Sequence, residues 1–183
     1  MKNKKVIVSC VALLALAAGS FASAGTRPGA VSFRLADGYM FFAQKRHLEN
    51  TTTPTIELGY ELNDKWGMKA GVTAINTDTK GVGPSSGVHG FFYMLDGVYK
   101  FLPRGNIEPY VLGGVGITSL EAHNTTDPTS QANVNAGVGS HYFIDPSISL
   151  NAEAKDVYTM SGGKNDVMLT AGVSFYFGGE ASS

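Results

Sequence analysis

The sequence predicts an all-β fold: an eight-stranded, antiparallel, up-and-down transmembrane β-barrel. Three observations carry that expectation. First, the chain has 183 residues with 23 glycines, 43% apolar residues and only 16% charged ones. A soluble domain carries about 25% charged residues, and a disordered chain lacks this apolar content. Second, apolar residues alternate with small or polar ones at period two, again and again, and no long stretch has helical spacing. Third, the connections alternate in length. Residues 64–65, 102–106 and 144–146 are short, whereas 44–53, 76–86, 121–129 and 159–165 are longer and polar. Short turns at one end and long loops at the other are the pattern of an up-and-down membrane barrel.

Taken in order, the first element is a targeting segment. Lys2, Lys4 and Lys5 precede an apolar run, Val6 to Ala18, and then Ala22-Ser23-Ala24. This three-part pattern reads as a signal peptide over residues 1–24, cleaved after Ala24. The run is shorter than the ~20 apolar residues of a membrane-spanning helix. Ile7-Val8-Ser9-Cys10 lies ahead of most of the apolar run, where a lipid-attachment cysteine would follow it, so lipidation is not expected. The sole cysteine leaves with the signal, which excludes a disulfide framework and a cysteine-based zinc cluster. The formal net charge of −1 excludes a basic nucleic-acid footprint.

The barrel is expected over residues 25–178, followed by a short tail, 179–183. Eight strands are expected near 30–43, 54–63, 66–75, 87–101, 107–120, 130–143, 147–158 and 166–177. The last is the clearest: Val167, Leu169, Ala171, Val173, Phe175 and Phe177 oppose Asp166, Met168, Thr170, Gly172, Ser174 and Tyr176. Ala132, Val134, Ala136, Val138 and Tyr142 likewise oppose Asn133, Asn135, Gly137, Gly139 and His141. Ile56, Leu58, Tyr60 and Leu62 oppose Glu57, Gly59, Glu61 and Asn63.

Which face meets which medium follows from chemistry. Gly, Ser, Thr and Asn with isolated charges make a poor coat for a soluble barrel, but suit a narrow interior. The other face carries Val, Leu and Ala in mid-strand, with Tyr60, Trp66, Tyr99, Phe101, Tyr142, Phe175 and Phe177 toward the turn end. That is the placement of an aromatic girdle at a membrane interface. Closure is then obligatory, because an open strand edge would leave bare N–H and C=O groups in hydrocarbon.

These residues resemble the N-terminal barrel of the OmpA family. Gly59-Tyr60-Glu61-Leu62-Asn63-Asp64-Lys65-Trp66-Gly67-Met68-Lys69 is similar to its second hairpin. Leu95 to Phe101 and Pro109 to Gly116 are similar to its fourth and fifth strands, and Asn135 to Ala154 to its sixth and seventh. Gly172 to Gly178 is similar to its closing strand. OmpX-like and OmpW-like barrels are the open alternatives. The terminal Phe177 resembles the signal that such barrels present to their assembly machinery. OmpA proteins usually continue into a periplasmic peptidoglycan-binding domain, and this sequence ends soon after the last strand, so only the barrel's roles are implied. Those are an outer-membrane location and a structural, envelope-integrity role with at most narrow diffusion. The alternative is surface binding through the four longer loops. The implied partners are outer-membrane lipid, lipopolysaccharide and the barrel assembly machinery, with a host or surface ligand possible at the loops. A monomer is expected, with no nucleic-acid partner, cofactor or metal.

The resemblance also implies a cluster of opposed charges inside the barrel, at Lys69, Asp96, His141 and Glu153. The family has an acid where Lys69 stands and a base where Asp96 stands, so this pair carries its signs exchanged. A family basic position is neutral Asn151 here. Arg34, Glu57 and Lys155 also face inward on this register. The cluster is a candidate gate, or a set of buried charges neutralised in pairs, since an unpaired buried charge costs several kcal/mol.

Other constellations are bland. Lys45, Arg46, His47 and Glu49 lie in the first long loop, where they suit phosphate groups of lipopolysaccharide or a host surface. Residues 81–87 lack the Gly-Lys-Ser/Thr ending of a phosphate loop. Acyl transfer needs a nucleophile, a base and an orienting group together. Neither His141, followed by Tyr142 and Phe143, nor His89, near Ser85 and Ser86, shows such a set. No enzymatic activity and no catalytic residue are expected.

Overall fold

The structure is a computed structural model that describes residues 26–42, 50–78, 87–122 and 129–179. The expected signal peptide and most of the first loop, with Lys45, Arg46, His47 and Glu49, lie outside the described residues. The described strands are β1 (Ala30–Phe41), β2 (Thr51–Thr52), β3 (Thr55–Glu61), β4 (Trp66–Asp78) and β5 (Gly87–Lys100). They continue with β6 (Ile107–Ala122), β7 (Thr129–Asp145), β8 (Ile148–Thr159) and β9 (Lys164–Gly178).

All neighbouring strands pair antiparallel, and β1 pairs with β9 from Ala30 opposite Gly178 to Phe41 opposite Val167. The sheet therefore closes on itself, which leaves no strand edge to expose to lipid. Nine elements make eight barrel strands, because β2 and β3 keep one register on β1. Thr52 stands opposite Tyr39 and Thr55 opposite Ala36. The break falls at Pro54, whose nitrogen has no hydrogen to donate to the ladder.

The turns explain themselves locally. Asn63 Oδ1 accepts the backbone N–H groups of Lys65 (2.9 Å) and Trp66 (2.8 Å), an Asx turn that folds β3 back onto β4. Asp145 Oδ1 likewise accepts the Ser147 N–H at 3.0 Å. One connection departs from expectation. The stretch 159–165, expected as a longer loop, is a tight hairpin, with Thr159 directly opposite Lys164. Gly162 and Gly163 have φ of 84° and 56°. That left-handed backbone is open to glycine at no steric cost, and it lets the chain reverse within four residues.

Alternate residues face outward and inward throughout. The outward face exposes Leu35, Leu58, Val72, Leu95, Val115, Val138, Leu150 and Leu169 in mid-strand. Two aromatic belts bound this apolar zone. Tyr60, Trp66, Phe101, Tyr142 and Phe177 lie at the turn end, as expected. Tyr39, Phe41, Phe91, Tyr93 and Tyr158 form a second belt at the loop end. Paired belts are the signature of a barrel seated between two membrane interfaces.

Candidate functional site: a lumen filled in layers

The core of this molecule is its lumen. Its middle is a charge-balanced cluster in which Arg34, Lys69 and Lys155 face Glu57, Asp96 and Glu153. Arg34, opposite Glu57 in the β1–β3 register, pairs with that carboxylate. Arg34 also donates to Asn151 Oδ1, and to Thr170 Oγ1 at 3.0 Å. Lys69 Nζ lies 3.2 Å from Glu57 and 2.5 Å from Glu153. Lys155 Nζ lies 2.7 Å from Asp96 and 3.4 Å from Glu153. Glu153, on β8, thus gathers cations from three strands, and the Tyr110 hydroxyl donates to it at 2.7 Å. Asn135 donates to the second oxygen of Asp96 at 2.9 Å. Buried charges are tolerable only when paired and hydrogen-bonded in this way.

Space for these side chains comes from glycine on the adjoining strand. Asp96 stands opposite Gly114, and a Cβ there would sit 2.3 Å from Asp96 Oδ1. Tyr110 stands opposite Gly139, and a Cβ there would sit 2.4 Å from the phenol carbon and oxygen. The same holds for Glu57 over Gly71 and Glu61 over Gly67. Part of the glycine content and the interior polar groups are therefore one feature: Glu57, Glu61, Asp96 and Tyr110 each lie across a neighbour that has no side chain.

Toward the turn end, Lys100 pairs with Glu61 and donates to the Asn63 carbonyl at 3.3 Å. Glu108 accepts from the Thr26 hydroxyl (2.9 Å) and backbone N–H (3.1 Å). Between this layer and the central cluster is a cavity of about 30 Å³, lined in part by Glu57, Glu61, Lys69, Lys100 and His141. That is room for one or two water molecules.

Toward the loop end the lumen holds an apolar cluster among buried polar residues. Met40, Ile75, Phe92, Met94, Val157 and Met168 form one buried cluster, with Phe42 packed against it. Small polar residues, as expected, are buried at this end as well: Thr53, Thr73, Thr118, Asn133 and Thr159. The cluster adjoins the charges, with Met94 Sδ 3.9 Å from Lys155 Nζ, and its apolar side chains fill their part of the cross-section at no desolvation cost.

The four site residues singled out from sequence all line the lumen, but in other pairings than expected. Lys69 and Asp96 are opposite each other in register yet do not pair: each takes a partner across the lumen. Among the described residues His141 joins no ion pair. Its ring stacks on Tyr110 at 4.6 Å, and Nδ1 lies 3.4 Å from both Ser149 Oγ and Tyr176 Oη. Sequence reading passed over Lys100, Glu108 and Tyr110. The signal was present, since Lys100 shares its strand parity with Asp96. Tyr110 carries no such signal, because it shares its strand parity with apolar Leu112. Among the described residues no group of three His, Cys, Asp or Glu side chains is placed to hold a metal.

Residues 8–177 match the family model described as the outer membrane protein beta-barrel domain. No curated protein sequence matches the chain. Among solved structures, the N-terminal β-barrel domain of Pseudomonas aeruginosa OprF is 20% identical with a TM-score of 0.61; the match covers 83% of this chain and 100% of that one. Neisserial surface protein A is 16% identical with a TM-score of 0.62, covering 81% and 96%. Ail of Yersinia pestis, solved with the heparin analogue sucrose octasulfate, is 13% identical with a TM-score of 0.60, covering 82% and 99%. At these identities the likeness is one of fold.

Proposed function

The chain belongs to the outer membrane protein β-barrel family, and from that premise we propose that it is a structural barrel of the outer membrane, closed to solutes. The observation that carries this reading is the lumen, where a buried apolar cluster and a charge-paired cluster lie in series. A hydrophobic constriction excludes ions by dewetting, and the paired charges behind it are held by strands on opposite sides. Such a barrel contributes cross-braced wall to the envelope and admits at most water or rare small ions. Its partners on this reading are outer-membrane lipid and lipopolysaccharide, with the barrel assembly machinery during insertion.

Conductance of the purified, folded protein in planar bilayers tests the reading. The expected record is quiet, with at most small and infrequent openings. Stable steps of general-porin size would overturn it.

A second reading, surface binding, rests on the run Lys45, Arg46 and His47 in the first loop and on the fold shared with Ail. Cells expressing a variant with shortened loops distinguish the two. Adhesion lost while resistance to detergent is kept would favour binding.

A further inference from the structure

We propose that the periplasmic rim carries a seat for the headgroup of an anionic phospholipid, built by Lys65 and Arg104 around a hydrophobic finger at Leu102. Two adjacent turns form it. The turn between β3 and β4 delivers Lys65, and residues 101–106 join β5 to β6 beside it. The Lys100 N–H donates to the Lys65 carbonyl at 2.7 Å, and the Phe101 N–H to the Pro109 carbonyl at 2.9 Å. Arg104 and Ile107 bond each other in both directions, at 2.8 and 3.2 Å. The two turns are thus tied to each other and to the barrel wall before any ligand arrives, which reduces the ordering cost of binding.

Between them lies a groove of about 560 Å³, within the size range of small-molecule sites. Its lining holds two exposed cations, Lys65 and Arg104, and no carboxylate. Lys100 contributes its stem, because its ammonium turns inward to Glu61. The remaining walls are Tyr99, Phe101, Leu102, Pro103 and Pro109.

Leu102 is the anomaly that decides the occupant. It is 79% exposed in the connection between β5 and β6. In water that exposure is unfavourable by the ordinary hydrophobic cost. It becomes favourable if Leu102 dips among acyl chains, continuing the belt of Trp66, Tyr99 and Phe101, whose rings contact edge to face at 4.9 and 5.3 Å. A cation flanking an apolar anchor at this depth sits at phosphate level. The short-turn end of such barrels faces the periplasm. The lipid available there is the inner-leaflet phospholipid, and two cations without an acid select an anionic headgroup over a zwitterionic one.

The chain has a single tryptophan, Trp66, next to Lys65 and against Tyr99, so its fluorescence reports on this groove. The protein is refolded into phosphatidylcholine vesicles, and Trp66 is quenched with brominated phosphatidylglycerol or brominated phosphatidylcholine at equal fractions. The expected result is an association constant for phosphatidylglycerol roughly five-fold or more above that for phosphatidylcholine, as one basic residue at a charged lipid surface supplies, falling as salt is raised. Lys65→Gln with Arg104→Gln removes the preference, and Lys164→Gln on the other rim leaves it intact. Heat-modifiable gel migration confirms that each variant is folded. Equal quenching by the two wild-type lipid sets overturns the proposal and leaves the groove to a protein or glycan. A preference that survives the double substitution, or that Lys164→Gln also abolishes, overturns it as well.

Discussion

Lys69 and Asp96 stand directly opposite each other on β4 and β5, yet their side chains part: Lys69 reaches Glu153 at 2.5 Å and Asp96 receives Lys155 at 2.7 Å. Both of those partners belong to β8, which pairs with neither β4 nor β5. The interior charges therefore act as struts across the lumen, where backbone hydrogen bonds cannot reach.

Breaking one strut should cost more than removing it whole. Asp96→Ala leaves the buried Lys155 short of its nearest partner, and Lys155→Met does the same to Asp96. Each is expected to destabilise by about 3–5 kcal/mol, whereas the double variant should cost less than the sum. Urea unfolding of the lipid-embedded barrel, followed through Trp66 fluorescence, measures all three.

The glycine pairing has its own signature. Gly139→Ala drives a methyl group into the Tyr110 ring and should destabilise by ~1–3 kcal/mol. In a Tyr110→Ala background the same change should be close to neutral, because the clash is gone. The same unfolding assay applied to a double-mutant cycle reads this coupling; additive costs would mean that the ring moves aside freely.

Two barriers in series make a distinctive conductance pattern. Lys69→Ala alone should leave planar-bilayer conductance near wild type, since the apolar cluster still closes the mouth. Phe92→Ser with Met168→Ser wets that cluster but leaves the charged one. Openings of clearly larger size are expected only when the three substitutions are combined.

The outward face should resist charge according to depth. Leu95→Arg, in mid-strand, is expected to cost about 2–4 kcal/mol, and Phe101→Arg, at the turn-end belt, about 0–1 kcal/mol beyond its lost packing. Folding yields into vesicles across a urea series rank the two.

Most of the architecture was legible in the residues because a strand in a membrane wall has two unlike surroundings. Val167, Leu169 and Val173 against Asp166, Thr170 and Ser174 state which side is lipid without any tertiary information, and a one-residue slip would reverse every one of them. Strand number and the turn-end aromatic belt follow from that alternation, and the resemblance to the OmpA barrel pointed to Lys69, Asp96, His141 and Glu153 as interior residues. The hairpin at 160–163 was not legible from loop polarity, since two left-handed glycines made it shorter than its composition suggests.

What alternation leaves open is which inward residues meet. Parity places Lys69 in the lumen, but barrel curvature and strand stagger decide that it faces Glu153 on β8 and not Asp96 beside it. The same geometry stacks His141 on Tyr110 and away from the ion pairs, and gathers Met40, Phe92 and Met168 from three strands into a plug. The sequence by itself determined that a closed barrel forms and which face meets lipid, because each residue carries that information in its own polarity. Only the tertiary structure decided how the lumen is filled, because contacts across it join residues whose separation along the chain says nothing about their distance in space.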